Sequence, residues 1–199
     1  LFHRYYLRTI YPIINIQGEY GYYEVGNKQS PYGKVVLTVK QNIPLFSGKL
    51  KYLIESGYVF GDVPFPLLES PRGTRGVWFP EYDFCLMNQM EFLTDAYIMG
   101  NFCYITSGWI FNHIPWVKKA NLREELLFKV AYGGLRNKHH TILELPENSS
   151  GINTPYMEAG VGISNILRLF SVQSVWRLTH RNAPNAINWG IRFRFNLDF

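Results

Sequence analysis

The stretch that decides the fold is WGIRFRFNLDF, residues 189–199. Its apolar side chains lie on one face of an extended chain: Ile191, Phe193, Phe195, Leu197 and Phe199. Gly190 and four polar side chains alternate with them on the other face. Strict alternation of this kind predicts a β-strand with one apolar and one polar face.

Composition narrows the class of protein. The chain has 199 residues and a formal charge of +5; 47% of its residues are hydrophobic, 17% aromatic and only 18% charged. So much apolar material excludes intrinsic disorder, and two cysteines are too few for a disulfide scaffold. No stretch reaches about 18 consecutive apolar residues, so no membrane-spanning helix is expected. The basic residues are scattered, so we expect no nucleic-acid partner.

Similar alternation recurs along the chain and predicts about nine strands in an all-β, antiparallel fold. The predicted strands cover residues 13–22, 34–42, 49–60, 82–92, 96–104, 124–134, 156–164, 172–180 and 190–199. Residues 24–33 are predicted to be a turn. Residues 61–80 contain four prolines and are predicted to be a connection, because proline does not fit a central strand.

The clearest predicted hairpin joins residues 82–92 to residues 96–104 about a turn at 93–95. This register places Cys85 opposite Cys103 on the polar face and keeps the other face apolar. We therefore expect the two cysteines to be spatial neighbours. A disulfide between them is left open, because directly opposite strand residues are slightly too far apart for a relaxed bridge.

Alternation alone does not distinguish a soluble β-sandwich from a transmembrane β-barrel, because both repeat every second residue. Long strands and aromatic residues near strand ends favour the barrel, with about eight to ten strands in this chain. Residues 1–199 are then one barrel region. The start at Leu1 and the odd count suggest the C-terminal part of a larger barrel. Aromatic and basic residues at 108–123 suit either a membrane-interface segment or an ordinary amphipathic turn.

Several stretches carry a family resemblance: residues 82–92, 111–119, 155–166, 175–179 and 190–192. The chain resembles the C-terminal barrel of an outer-membrane family whose members carry an N-terminal carboxypeptidase-regulatory-like domain. It is more distantly similar to the outer-membrane assembly-factor (surface antigen) superfamily. The resemblance implies a location in the bacterial outer membrane and a role in transport, export or assembly. The implied partners are outer-membrane lipids, the barrel-assembly machinery, and other outer-membrane or periplasmic proteins.

Two sets of residues are candidates for specific roles. Arg177, Arg192 and Arg194 are predicted to line the barrel interior, where they could favour anions or pair with Glu158 in salt bridges that hold the wall. The closing strand resembles the C-terminal recognition strand of Gram-negative outer-membrane barrels. That resemblance assigns an insertion signal to Phe193, Phe195, Leu197 and Phe199.

No residue pattern indicates catalysis, a cofactor or a metal. The adjacent His139 and His140 lack a further ligand at a useful spacing, and Gly160-Val161-Gly162 lies in a strand, without the third glycine of a dinucleotide site. We therefore expect no enzymatic activity. Two alternatives stay open: a barrel enzyme acting on lipids, which could use His113 or His180 with a serine, and a soluble β-sandwich binding module.

Predicted orientation follows from counting strands back from Phe199 at the periplasmic rim. The count places residues 135–153 and 93–95 outside the cell, and residues 108–123 and 61–81 on the periplasmic side. The last connection is long for that rim.

Overall fold

Eight β-strands dominate the structure, a computed structural model that describes residues 11–25, 28–74, 76–78, 80–136, 146 and 149–195, with backbone alone at 28, 116 and 117. The strands are β1 (Ile13–Val25), β2 (Lys28–Leu45), β3 (Gly48–Phe60), β4 (Ala96–Thr106), β5 (Arg123–Gly134), β6 (Tyr156–Ile166), β7 (Phe170–Arg177) and β8 (Trp189–Phe195). One short α-helix, α1 (Pro115–Lys118), and two 3-10 helices, Phe65–Leu67 and Phe111–His113, lie in the connections. No helix in the described ranges is long and apolar enough to cross a membrane.

The strands form one antiparallel sheet in which each strand pairs with the next along the chain. This confirms the predicted all-β antiparallel fold, with a strand number inside the predicted range. A single layer replaces the two packed layers of a sandwich. Within the described residues β1 and β8 are the two edges and do not pair with each other. The fold is therefore an open sheet, consistent with part of a barrel.

The turn predicted over residues 24–33 is wrong for most of its length. β1 extends to Val25 and β2 begins at Lys28. Pro31 is tolerated in the strand because it pairs with Tyr22 of β1, while the pairing of β2 with β3 starts only at Gly33. The missing proline N–H therefore removes no hydrogen bond on the β3 side.

The two faces of the sheet have opposite chemistry. The outer face, as we call it, carries side chains such as Ile98, Phe128, Val161 and Ile191, which are 40% to 51% exposed. The inner face carries buried charged side chains: Glu125, Lys129, Glu158, Arg177, Arg192 and Arg194. Strand pairing places each set on a common face. A water-soluble sheet buries its apolar face, so this arrangement is inverted.

The predicted hairpin of residues 82–92 with β4 is wrong. β4 pairs with β3 and β5, and residues 61–95 form one irregular connection that we call the inner segment. Among its described residues the β-pairing consists of isolated bridges, such as the one between Gly73 and Phe84. Four consecutive side chains, Phe84 to Met87, are each at most 1% exposed. Residues 84–88 and 91–95 of this segment are buried against the inner face, while Val77, Trp78 and Met90 are exposed.

Three apolar clusters attach the inner segment to the sheet. Phe84 and Phe92 pack on Tyr156 of β6, with ring centroids 5.5 Å and 5.6 Å away. Leu86 packs with Leu127 and Val175, and Val63 packs with Val59 of β3. Gly73 permits the close return of the segment on itself, since a Cβ there would collide with the Met87 carbonyl oxygen.

Connections alternate between the two rims of an antiparallel sheet. Residues 61–95, 135–155 and 178–188 connect strands at one rim, which we call the long-loop rim. Residues 46–47, 107–122 and 167–169 lie at the other, the short-turn rim. The sequence-based orientation splits the inner segment between both rims because it counts one strand too many. Removing that strand places the whole segment at the same rim as residues 135–153.

Candidate functional site

Buried polar groups on the inner face bind the backbone of the inner segment. The Glu158 carboxylate on β6 is fully buried and accepts hydrogen bonds from the Cys85 N–H and the Leu86 N–H, both at 2.8 Å. The Tyr156 hydroxyl donates to the same carboxylate at 2.7 Å. Hydrogen bonds to a charged acceptor are the stronger kind. Glu158 therefore fixes the turn of the segment at Cys85.

Arg177 on β7 forms the second anchor. Its guanidinium makes a two-pronged ion pair with Glu91 of the inner segment, with Nη1 3.2 Å from Oε2. The guanidinium carbon also lies 4.8 Å from the centre of the Tyr156 ring. Glu91 Oε2 in turn accepts the Asn88 N–H at 2.9 Å. The buried ion pair between Arg177 and Glu91 thus holds the end of the inner segment against β7.

Cations contact the carbonyl groups of the same segment. Arg192 Nε on β8 donates to the Cys85 carbonyl oxygen at 2.8 Å. Lys129 Nζ on β5 donates to the carbonyl oxygens of Glu81 and Asp83. The backbone near Cys85 is therefore bound through its N–H groups by an anion and through its carbonyl groups by cations.

A third charged group lies toward the short-turn rim. Arg194 on β8 pairs with Glu125 and lies 3.9 Å from Glu81, and Lys51 on β3 is 2.9 Å from Glu81. Burial raises the pKa of the Glu81 carboxyl, but Lys51 and Arg194 outweigh burial, and the net pKa is lowered. Glu81 is therefore charged and connects β3 to β8 through the inner segment.

All four predicted interior charges, Arg177, Arg192, Arg194 and Glu158, lie buried on the inner face. They do not line an open channel in this part of the chain, because their partners include the inner segment. Arg177 pairs with Glu91 and not with the predicted Glu158, because the prediction assigned residues 82–92 to a strand. Glu125 and Lys129 were also missed, although their positions in the alternating strand 124–134 place them on the same face.

The predicted insertion-signal residues are only partly described. Phe193 is half-buried and Phe195 is 47% exposed on the outer face, while Leu197 and Phe199 lie outside the described residues. Trp78 packs on Phe193, with ring centroids 5.7 Å apart. The Phe193 N–H donates to the Val77 carbonyl oxygen at 2.8 Å, so residues 77–78 cover part of the β8 edge.

Cys85 and Cys103 are both free and both buried. They belong to one apolar cluster with Leu86, Leu127 and Val175, although the register that predicted their pairing is wrong. Burial raises the pKa of the Cys85 thiol to about 12, so this thiol is neutral at ordinary pH. Buried neutral thiols act as small apolar side chains.

Residues 107–122 form the β4–β5 connection at the short-turn rim, and the Glu124 carboxylate of β5 binds the backbone near its start. Glu124 accepts the N–H groups of Trp109, Ile110 and Phe111, at 3.0, 2.7 and 2.9 Å. Trp109 is 51% exposed and Ile110 is 64% exposed. The loop thus presents apolar side chains outward, next to exposed Lys118 and Lys119.

The two histidines that a lipid-cleaving enzyme could use lie at opposite rims. His113 Nδ1 is 2.6 Å from the Trp109 carbonyl oxygen, and His180 Nε2 is 3.0 Å from Thr154 Oγ1. In the described part of the chain no group of three or more His, Cys, Asp or Glu side chains could hold a metal ion. His139 and His140 lie outside that part.

An open antiparallel sheet with an apolar outer face and a charged interior filled by one chain segment is the architecture of a partial β-barrel. The chain belongs to a family of unknown function, the DUF5686 C-terminal domain family. The model of this family matches residues 3–142. Comparison with curated proteins and with solved structures finds no match.

Proposed function

We propose that this chain is part of a β-barrel in the bacterial outer membrane and serves transport, export or assembly there. The observation that carries the proposal is the outer face, which is apolar across all eight strands. Among the described strand residues, the charged side chains on this face are Glu24 and Glu124, each second from one end of its strand. An exposed apolar surface of this extent is unfavourable in water but matches the hydrocarbon layer of a bilayer.

Aromatic residues at both rims support the same proposal. Exposed aromatic side chains toward the long-loop rim include Tyr58, Phe60, Tyr132, Trp176 and Trp189. Trp109 and Phe195 are exposed toward the short-turn rim. Tyrosine and tryptophan concentrate at the level of lipid headgroups, and membrane barrels carry such girdles at both interfaces.

The edges of β1 and β8, which no described strand covers, support a larger barrel. Strand edges do not face lipid in the membrane core, because their backbone groups would lack hydrogen-bond partners. Further strands must therefore complete the sheet, or β1 must meet β8. The carboxypeptidase-regulatory-like domain suggested by the family resemblance would precede these strands. The proposed partners are outer-membrane lipids and the barrel-assembly machinery.

The inner segment bears on the role in transport or assembly. It fills the interior of the sheet and is bound by buried ion pairs and hydrogen bonds. Any cargo that passed along the inner face would have to displace residues 61–95. Export or assembly through this barrel would therefore require either movement of the segment or a route along the open edges.

The membrane location is tested by placing a charge at the centre of the outer face. Val161 is 49% exposed at the middle of β6. If lipid covers it, Val161→Arg should destabilise the barrel by roughly 2–4 kcal/mol, and the amount of full-length protein in the outer-membrane fraction should fall. Leu178→Arg is the matched control, because Leu178 is 48% exposed but lies beyond the end of β7, where the penalty is about 0–1 kcal/mol.

The measurement is the amount of each variant in membranes that resist alkaline extraction, together with its melting temperature in detergent. A protein whose outer face meets water would tolerate both substitutions equally. Equal membrane levels and equal melting temperatures for the two variants would contradict the proposal.

A further inference from the structure

A cleft of about 540 Å³ opens at the short-turn rim, between the β4–β5 loop and the β6–β7 turn. We call it the rim cleft. Its polar lining includes Lys51, Asn112, Asn121, Arg123, Asn165 and Arg168. It lies apart from the buried anchors around Glu158 and Arg177. Its volume is in the range of pockets that bind small molecules, roughly 300–1,000 Å³.

The rim cleft is basic and its lining contains no carboxylate. Lys51 is already paired with Glu81. Arg123 and Arg168 are exposed, and neither forms an ion pair with another described residue. Two guanidinium groups at one cleft, neither of them in an ion pair with a described residue, form a site that attracts anions.

The backbone around the two arginines is fixed by hydrogen bonds between the loop and the turn. Asn165 Nδ2 donates to the Asn121 carbonyl oxygen at 2.7 Å, and Ser164 Oγ donates to the Arg123 carbonyl oxygen at 3.3 Å. These bonds join residues 121–123 to residues 164–165 and position both arginines at the same cleft. Such prior positioning reduces the entropy that a ligand must overcome.

The turn itself keeps an arginine where glycine or asparagine would be easier. Leu167 and Arg168 have φ values of 50° and 65°, the left-handed region that both central residues of a type I′ turn adopt; the Leu169 N–H closes this turn on the Ile166 carbonyl oxygen at 3.0 Å. Glycine and asparagine are the usual residues there, because larger side chains are strained. A strained residue that carries a free charge at a cleft points to a role in binding.

We propose that the rim cleft binds a phosphate-bearing ligand, with Arg123 and Arg168 as its principal contacts. A guanidinium group matches phosphate geometry because two parallel N–H groups can donate to two phosphate oxygens. The phosphate could belong to a free small molecule or to a lipid headgroup. Apolar Leu122 and Leu169 also line the cleft and would contact the remainder of the ligand.

The experiment measures ligand affinity of the full-length protein purified in a zwitterionic detergent. Calorimetric titration with inorganic pyrophosphate tests the free phosphate source. Titration with mixed micelles that contain phosphatidylglycerol tests the headgroup source. We expect the double variant Arg123→Gln with Arg168→Gln to weaken binding at least about tenfold, since each lost hydrogen bond to a charged group removes a large part of the binding free energy. Lys118→Gln with Lys119→Gln removes the same charge from the same rim, at residues that do not line the cleft, and should change affinity less than about twofold.

Each outcome decides the proposal. Selective loss in the arginine variant supports it, and the probe that binds identifies the source of the phosphate. Equal losses in the two double variants would show general attraction to a basic rim and overturn it. Failure of the unmodified protein to bind either probe would also overturn it. An unchanged melting temperature of the arginine variant shows that a loss of binding is not a loss of folding.

Discussion

Arg177 places a positive charge where its side chain is completely removed from solvent. A buried charge is tolerated only with a partner, and Glu91 supplies that partner together with the face of Tyr156. Removing one member of a buried pair is costly because the other charge stays behind, whereas removing both costs less. At the scale of single residues, the pair therefore acts as a unit.

This coupling predicts the result of a double-mutant cycle. Arg177→Met and Glu91→Gln should each lower the free energy of unfolding by about 3–5 kcal/mol, and the double variant should lose clearly less than the sum. The glutamine keeps an oxygen that can accept the Asn88 N–H. Unfolding in urea, followed by tryptophan fluorescence in detergent, provides the measurement. Strictly additive losses would show that the two charges do not interact.

Among the elements, the inner segment shows what alternation can and cannot predict. The sequence predicts all eight strands near their observed positions, because their side chains alternate between two environments. Residues 82–92 also alternate, yet they form no strand. Phe84 packs on Tyr156 of β6, and Leu86 packs with Val175 of β7. Alternation indicates whether neighbouring side chains face apolar or polar surroundings. It does not show which backbone, if any, the residues hydrogen-bond to.

The partners of the interior charges could not be predicted for a related reason. The sequence does show which face of the strand each charged side chain occupies, since alternation places Arg192 and Arg194 on the polar face of β8. The sequence does not show which groups these charges bind, since the partners depend on the path of the irregular inner segment. Arg192 meets the carbonyl oxygen of Cys85, a backbone group that carries no sequence signal.

Glu158 should control how firmly the inner segment is bound. Glu158→Leu removes the acceptor of the Cys85 and Leu86 N–H groups and of the Tyr156 hydroxyl, and leaves three buried donors unpaired, at about 1–3 kcal/mol each. Amide hydrogen exchange at Cys85 and Leu86 should then accelerate at least about tenfold, while exchange within β4 changes little. Glu24→Leu is the control, because Glu24 lies exposed near the end of β1. Protection at Cys85 that survives Glu158→Leu would show that apolar packing alone fixes the segment.

For the whole molecule, the two rims predict which side faces the cell exterior. Outer-membrane barrels have long extracellular loops and short periplasmic turns, and residues 61–95, 135–155 and 178–188 share one rim. Asn182→Cys should therefore react with a membrane-impermeant maleimide on intact cells, and Ala120→Cys only after the outer membrane is opened. Both positions are exposed, and Cys85 and Cys103 are buried, so background labelling should be low. The reverse pattern would invert the proposed orientation.

The place of the inner segment in the chain has a consequence for the order of folding. The segment is synthesised after β3 and before β4, but its anchors on β6, β7 and β8 come later, with Glu91 and Arg177 separated by 86 positions. Neighbouring strands can pair locally and quickly, whereas contacts between distant residues form slowly because long loops must close first. We therefore expect β4 to β8 to pair and curve around an inner segment that is already in place. A sheet that curved before the segment docked would have to reopen, and this would be the slow step of maturation.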